Sequence, residues 1–488
     1  MDLLASIDHW GQLHPGRPAH VSGASVLTYA ELQRKSNQLA AYLQGALPAD
    51  RSPVAILGHK QNEMLVGLVG SLKSGHPYVP LDSSLPQPRI QKILDTSGAR
   101  LFSVEQIEQI LRSNVGALPA ADTPVAASDL WYICFTSGST GDPKGVMITR
   151  GCVESFVEWT LAEQQFRPAG EVFLNQASFS FDLSVMDLYS SLASGGTLFS
   201  LTQDETSEPR RLFESLGASG ISVWVSTPSF ARMCLMQPSF SREMLRAVRK
   251  FWFCGETLAP EIAAELLRRF PEAEVWNTYG PTEATVATTS IRVTRPLLEQ
   301  YKTLPVGKVR PGARIVIRDE NDNILSHGSR GEIVIAGPHV GLGYVNRPDL
   351  TERAFIELDG QRAYRTGDAG HFEDELLFFE GRMDFQIKLH GYRIELGDIE
   401  ANLHRLKDIQ DAVVMPAMRG GQPEYLVAFT ILKTASPETE FEISQRLRSE
   451  LAAHVPEYMV PRKFVFLPEF PTNSNGKIDR QRLARMLP

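Results

Sequence analysis

The chain has 488 residues, room for two or three domains, and its 43% hydrophobic and 22% charged content is that of a soluble globular protein with a large core. Its 49 basic and 57 acidic side chains leave a net charge of −8, which argues against nonspecific nucleic-acid binding, since that needs a basic face to displace phosphate counterions. Four cysteines (Cys134, Cys152, Cys234, Cys254) are too few for a disulfide scaffold and form no C-x-x-C zinc pair, and no apolar run approaches the roughly 18 residues of a membrane span. The first residues include Asp2 and Asp8 and no basic n-region, so no signal peptide is expected and the localisation expected is cytoplasmic.

In chain order, the first informative element is a strand that runs into a loop at residues 132–145. The loop holds small hydroxyl residues and glycines and is closed by one lysine: Thr136, Ser137, Gly138, Ser139, Thr140, Gly141 and Lys144. Glycines let backbone N–H groups approach an anion, hydroxyls add donors, and the lysine adds charge. Pro143 stands where a Walker A loop needs glycine before lysine, so this is not a Walker A loop; the alternatives are a polyphosphate loop of another kind, which the length of the string favours, and a plain turn. A strand–helix rhythm follows: strand 221–225, a helix from Pro228 to Met236, strand 250–254, a helix over 259–270 opened by Pro260, and strand 274–277. That alternation predicts a parallel sheet with helices on its faces, and ligands in such sheets sit beyond the carboxyl ends of the strands. The polar clusters at Ser226-Thr227, Gly255-Glu256 and Thr278-Tyr279-Gly280 fall at those ends.

From about Asp384 the pattern changes to strand 385–389, helix 396–406, strands 412–416 and 425–432, and helix 442–454. This reads as an α+β unit of about one hundred residues. The expected domains are therefore 1–383 and 384–488.

The string T-S-G-S-T-G-x-P-K-G at 136–145 resembles the adenylate-forming superfamily of acyl-CoA synthetases, luciferases and nonribosomal-peptide adenylation domains. So do L-T-Y-A-E-L at 27–32, residues 72–82, N-T-Y-G-P-T-E at 277–283, Y-R-T-G-D at 364–368, residues 381–388, G-Y-R-I-E at 391–395 and N-G-K at 475–477. The resemblance covers essentially the whole chain. It implies an α/β fold with a large N-terminal domain of parallel-rich sheets flanked by helices, plus a small mobile α+β C-terminal lid domain. It also implies ATP and Mg²⁺: a carboxylate attacks the α-phosphate, releasing pyrophosphate and leaving an acyl adenylate. Three anions meet in that step, so the work falls to positioning and charge stabilisation.

The family's roles map onto particular residues. Tyr279 stacks near adenine and Asn277 lies by its amino edge, within a nucleotide-binding stretch that includes Thr278, Gly280, Pro281 and Thr282. Glu283 helps hold Mg²⁺. Asp368 accepts both ribose hydroxyls, with a helix or turn cap as the alternative, while Arg382, after Gly381, is a second ribose or phosphate contact or else a surface salt bridge. Lys477 is the adenylation lysine, a compact mobile cation able to bridge carboxylate and α-phosphate. Asp384 matches the hinge.

Asp182 stands where amino-acid-activating members place the partner of the substrate ammonium. A buried cation without a partner is heavily penalised, so an acid here favours an amino acid over a fatty acid; the alternative is a helix N-cap. Residues 175–189, 226–230, 253–256 and 281–288 resemble the D-alanine-activating members, which serve lipoteichoic acid D-alanylation. There Cys254 lies against the substrate side chain and is tied to the choice of enantiomer, and Val286 caps a small methyl pocket. Cys254 read alone is a buried free cysteine. No carrier motif follows Lys477, so the implied acceptor is the phosphopantetheine thiol of a separate carrier protein. The rival readings are a stand-alone adenylation enzyme for another small amino acid and a nucleotide-binding protein without catalysis.

Overall fold

Short runs of Val, Phe and Trp buried on both faces make the centre of a nine-stranded sheet. Strand Val223–Ser226 pairs in parallel with Val172–Asn175 on one side and Lys250–Phe253 on the other, and the last of these pairs with Glu274–Tyr279. Every residue of Val223–Ser226 and Lys250–Phe253 is buried, as in parallel strands covered by helices on both faces. The parallel block continues through Thr197–Ser200 to Pro18–Ser22, and antiparallel strands close both edges. A second sheet of six strands runs in the order Gly343–Tyr344, Lys144–Thr149, Leu130–Thr136, Tyr78–Asp82, Val54–Gly58, Arg100–Ser103. A third, of five antiparallel strands, spans Arg314–Arg318 to Leu376–Arg382. The computed structural model describes residues 2–48, 50–113, 125–138, 141–384, 386–419, 422–434, 438–471 and 478–487.

The chain divides into two compact units. One comprises Met1–Ser83, Thr96–Phe135 and Gly145–Met383; the other comprises Ser84–Asp95, Thr136–Lys144 and Asp384–Pro488. In the first, helix Leu183–Ser194 is buried along its whole length, and its buried polar side chains are partnered: Ser191 and Ser194 donate to the helix's own carbonyls and Asp187 accepts from Asn175 Nδ2. Its Met186, Leu188 and Tyr189 share one core with Val54 and Trp131 of the six-stranded sheet and Phe173 and Val223 of the nine-stranded sheet. The Tyr189 hydroxyl accepts from Trp131 Nε1 at 2.7 Å and lies 2.9 Å from the Tyr78 hydroxyl, so three aromatic side chains keep their polar ends satisfied inside. Removing that hydroxyl would leave buried partners unpaired, at about 1–3 kcal/mol.

In the second unit, Ile394, Ile399, Leu403, Val414, Leu447 and Met459 form a separate core. Strand Gln422–Leu432 pairs antiparallel with Ile409–Arg419 and parallel with Lys463–Phe466. Helix Glu440–Ala452 begins at a capping box between Thr439 and Glu442, which satisfies two otherwise orphaned N–H groups.

The strand–helix series forms as Val223–Ser226, Pro228–Leu235, Lys250–Phe253, Pro260–Arg269 and Glu274–Tyr279, with ends moved by one or two residues. The five-stranded sheet, built largely from consecutive hairpins, and strand Lys463–Phe466, which pairs in parallel with Gln422–Leu432, were not expected from the strand–helix rhythm, because neither repeats it.

Candidate active site

Strand register sets the site's floor. Ser226 lies beside Phe253, and Phe253 beside Asn277, so Thr227, Cys254 and Thr278 follow at one carboxyl edge of the nine-stranded sheet. Thr278 Oγ1 donates to the Phe253 carbonyl at 2.7 Å, and Ser229 N–H donates to Glu256 Oε2 at 2.9 Å. Asn277 Nδ2 donates to the Pro305 carbonyl at 2.9 Å, tying this strand to the segment before Gly307.

Past the strand the chain turns sharply. A side chain on Gly280 would put Cβ 2.7 Å from Ala287 Cα, so the close approach requires glycine. Pro281 leads into a single turn, Thr282–Ala284, and then Thr285 and Val286 both take positive φ, 48° and 69°. For two β-branched residues this conformation costs about 1–3 kcal/mol each. Surrounding contacts hold it: Thr285 Oγ1 donates to the His339 carbonyl at 2.6 Å, and Cys254 Sγ donates to the Val286 carbonyl at 3.5 Å. Cys254 and Val286 are both buried.

Asp368 and Arg382 are paired residues on adjacent antiparallel strands. Asp368 Oδ1 accepts from Arg382 at 2.8 Å and Oδ2 from the Tyr279 hydroxyl at 2.5 Å. The side chains of Arg382 and Asp368 are 14% and 4% exposed, so this is a buried pair rather than a surface salt bridge. Burial, and then the Asp368 carboxylate, push the Tyr279 phenol well above its ordinary pKa, so it stays a donor. A carboxylate has about four acceptor sites, and these two bonds leave capacity for a vicinal diol. The Tyr279 ring lies 5.8 Å from that of Phe379, tilted by 35°.

Glu283 is fully buried, and Oε1 accepts from the Tyr344 hydroxyl at 2.7 Å. Tyr344 in turn lies 3.3 Å from the Tyr364 hydroxyl. Among the described residues no cluster of three His, Cys, Asp or Glu is placed to hold a metal ion. A single buried carboxylate nevertheless fits Mg²⁺, which commonly takes one or two carboxylates, substrate phosphates and water.

Asp182 precedes helix Leu183–Ser194 but makes no cap hydrogen bond, with φ −62° and ψ −24°. The N-cap alternative is therefore excluded by geometry. The half-buried carboxylate sits on a loop fixed to a wholly buried helix.

In the second unit, the described part of the Gly/Ser loop is bound to strand Tyr392–Glu395. Ser137 Oγ donates to the Arg393 carbonyl at 2.9 Å and accepts from the Glu395 N–H at 3.0 Å. Lys144 Nζ lies 3.5 Å from Glu395 Oε1. At Gly138 a Cβ would fall 2.2 Å from the Asp142 carbonyl, so backbone closure excludes any side chain. Thr136 Oγ1 is buried without a hydrogen-bond partner among the described residues, an open position for an anion oxygen or water. Lys92 donates to Asp142 Oδ1 at 2.6 Å, further anchoring the loop. Asp384 Oδ1 accepts from the Gln386 N–H at 3.0 Å. Ser139, Thr140 and Lys477 lie outside the described residues.

Tyr344 and Glu395 contact the predicted site residues Glu283 and Lys144 but were not legible as such in the sequence. Tyr344 is far in sequence from the Glu283 it adjoins, and Glu395 is one acid among 57 acidic residues.

The sequence matches the AMP-binding enzyme family over residues 7–345 and the AMP-binding enzyme C-terminal domain over residues 398–477. The chain belongs to the AMP-binding enzyme family. Within it, the chain is 46% identical to the D-alanine–D-alanyl carrier protein ligase of Bacillus mycoides and 45% identical to that of Bacillus anthracis, each over 99% of both chains. Among solved structures, the Vibrio cholerae adenylation domain AlmE, in complex with glycyl-adenosine-5′-phosphate, superposes with a TM-score of 0.85 at 22% identity, covering 99% of this chain and 97% of that one. Holo-PA1221, a nonribosomal peptide synthetase protein with adenylation and carrier domains, gives 0.82 at 27% identity, covering 99% and 84%.

Proposed function

We propose that this protein activates D-alanine with ATP as D-alanyl adenylate and transfers the alanyl group to the phosphopantetheine thiol of a separate carrier protein. The observation that carries the reading is the 45–46% identity, over 99% of both chains, to enzymes named for that reaction. The Asp182 carboxylate, which caps no helix, supports it as the partner of the substrate ammonium. Cys254 and Val286 bound the space for a methyl side chain. Tyr279, Asn277, Asp368 and Arg382 hold the adenosine portion of ATP, Thr136–Lys144 the phosphates, and Glu283 the Mg²⁺. When bound, Mg²⁺ supplies charge neutralisation at the phosphates. Lys477 holds the alanine carboxylate against the α-phosphate while charge develops there. Residues 384–488 act as a mobile lid domain turning at Asp384. The reaction is placed in the cytoplasm, feeding lipoteichoic acid D-alanylation.

The test is ATP–pyrophosphate exchange with Mg²⁺ over a panel of amino acids that includes glycine and both alanine enantiomers, followed by loading of a purified phosphopantetheinylated carrier. D-Alanine is expected to give the highest kcat/KM, with glycine lower by about 10–200-fold because it lacks one methyl group, and L-alanine, which carries that methyl in the opposite configuration, reduced rather than silent. A different preferred amino acid would replace this reading with that of another small-amino-acid adenylation enzyme.

A further inference from the structure

The loop that delivers Asp182 is held from outside by the second sheet. Residues 176–182 run between strand Val172–Asn175 and helix Leu183–Ser194. Lys60, just past strand Val54–Gly58, donates from Nζ to the carbonyls of Asn175 and Gln176 at 3.0 and 2.7 Å. Asp82, the last residue of strand Tyr78–Asp82, accepts from Ser178 Oγ, and the same oxygen lies 2.7 Å from His59 Nδ1. Cys134, in strand Leu130–Thr136, donates from Sγ to the Ser180 carbonyl at 3.3 Å. These three strands are neighbours in the six-stranded sheet, in the order Val54–Gly58, Tyr78–Asp82, Leu130–Thr136. Successive strands thus pin successive alternate loop residues, 176, 178 and 180, and the next step of two is Asp182.

The pins are costly ones. Lys60 is 2% exposed, and burying an ammonium is penalised by several kcal/mol unless it is fully partnered. Burial draws its pKa down to about 8, against the opposing pull of Asp187 and Asp82, so it remains mainly cationic at neutral pH. Tying two sheets together does not require a charge, because apolar packing serves as well. What the charged and polar groups add is direction. Each bond fixes one particular loop atom, and a carboxylate meant for an ammonium must be held to about 0.5 Å.

We propose that Lys60, Asp82 and Cys134 are positioning residues for the substrate-ammonium site, fixing the 176–182 loop so that Asp182 meets the amino group of the bound amino acid. This rests on the assignment of Asp182 made under Proposed function. Loosening a pin weakens amino-acid binding and leaves nucleotide binding alone.

The experiment measures KM for D-alanine and KM for ATP separately, by pyrophosphate exchange on full-length Asp82→Ala, Asp82→Asn, Lys60→Met, Ser178→Ala and Asp182→Asn. Asp82→Ala and Lys60→Met are expected to raise KM for D-alanine about tenfold while KM for ATP stays within about twofold. Asp82→Asn keeps an acceptor for Ser178 and recovers most of the loss. Ser178→Ala removes only the loop's own hydroxyl, so it reports on the pin, with a rise of about threefold, even where a buried substitution fails to fold. Both KM values unchanged, or both rising together, in folded variants overturns the proposal while a raised D-alanine KM in Asp182→Asn keeps the ammonium assignment. An unchanged D-alanine KM in Asp182→Asn sinks that assignment, and this inference with it.

Discussion

Cys254 Sγ points at the carbonyl oxygen of Val286, 3.5 Å away, and Val286 holds that carbonyl in place only by accepting a φ of 69°. A β-branched residue in this region stores about 1–3 kcal/mol, so the thiol contact and the strained turn form one rigid wall. The wall is where the proposed methyl pocket lies. Cys254→Ala removes both the sulfur and its hold on the Val286 carbonyl. The D- to L-alanine ratio of kcat/KM is expected to fall by about three- to tenfold. Exchange assays with each enantiomer decide it; an unaltered ratio makes Cys254 a packing residue only.

Glu395 competes for the loop lysine. Its carboxylate lies 3.5 Å from Lys144 Nζ, and both side chains are largely buried, so the proposed phosphate binding at Lys144 would have to displace an existing charge partner. Glu395→Gln keeps the backbone bond to Ser137 and removes the charge. KM for ATP is expected to drop by about two- to fourfold, the effect of a weak ion pair no longer opposing the substrate. A rise in KM would mean instead that Glu395 orients Lys144 for ATP.

The parts of the site that were legible in the sequence are those whose chemistry needs neighbours along the chain. The loop at 136–145 and the N-T-Y-G-P-T-E stretch each gather several of the proposed ATP-binding residues within one short run of chain. Strand ends were legible for the same reason, since Ser226, Phe253 and Asn277 fall in register once the strand–helix rhythm is read. Lys60, Asp82 and Tyr344 were not. Lys60 meets the Asn175 carbonyl across 115 residues and Tyr344 meets Glu283 across 61, and no local pattern encodes such a partner. The antiparallel sheet that brings Asp368 to Arg382 was invisible likewise, although both residues stand out in their motifs.

Acid stability should hinge in part on Glu171. Its carboxylate is fully buried; burial pushes its pKa up, but bonds from Arg249, Arg167 and Ser222 outweigh that and hold it at about 2, against 4.5 when unperturbed. A depressed acid pKa stabilises the fold above the unfolded value, and the contribution drains away as pH falls from about 4.5 through 2. At pH 7 the arrangement contributes about 3 kcal/mol. Glu171→Gln is therefore expected to lower stability markedly at pH 7, with the gap to wild type shrinking by pH 3. Urea unfolding of both proteins across that range is the measurement, and a gap independent of pH would refute the assignment.

Lys477→Ala separates the two half-reactions. In its proposed role its charge is required while the alanine carboxylate meets the α-phosphate, and an interaction made in that transition state alone costs kcat when removed. Adenylate formation is expected to fall by about 10²–10³-fold, as for loss of one electrostatic donor at a reacting centre. Transfer from supplied D-alanyl adenylate to the carrier should stay near wild type. Equal loss of both steps would show that the lysine is not specific to adenylation.

On the proposed roles the two half-reactions need different surroundings at one phosphate, the lysine for the first and an entry for the pantetheine thiol for the second. The proposed lid motion would supply that change of arrangement, with the φ/ψ change taken up by a few residues at an element boundary. Asp384 stands at such a boundary, because it begins the second unit's main segment and Met383 ends the first. Proline would fix φ near −65° there and hold one arrangement. Asp384→Pro is therefore expected to keep pyrophosphate exchange within about threefold of wild type while cutting carrier loading about tenfold or more. Because the substitution also removes the carboxylate that accepts from Gln386 N–H, Asp384→Ala serves as the control. Loss of carrier loading in the proline variant alone assigns the effect to backbone restriction. Equal loss in both assigns it to the hydrogen bond, and carrier loading at the wild-type rate in the proline variant removes Asp384 from the hinge.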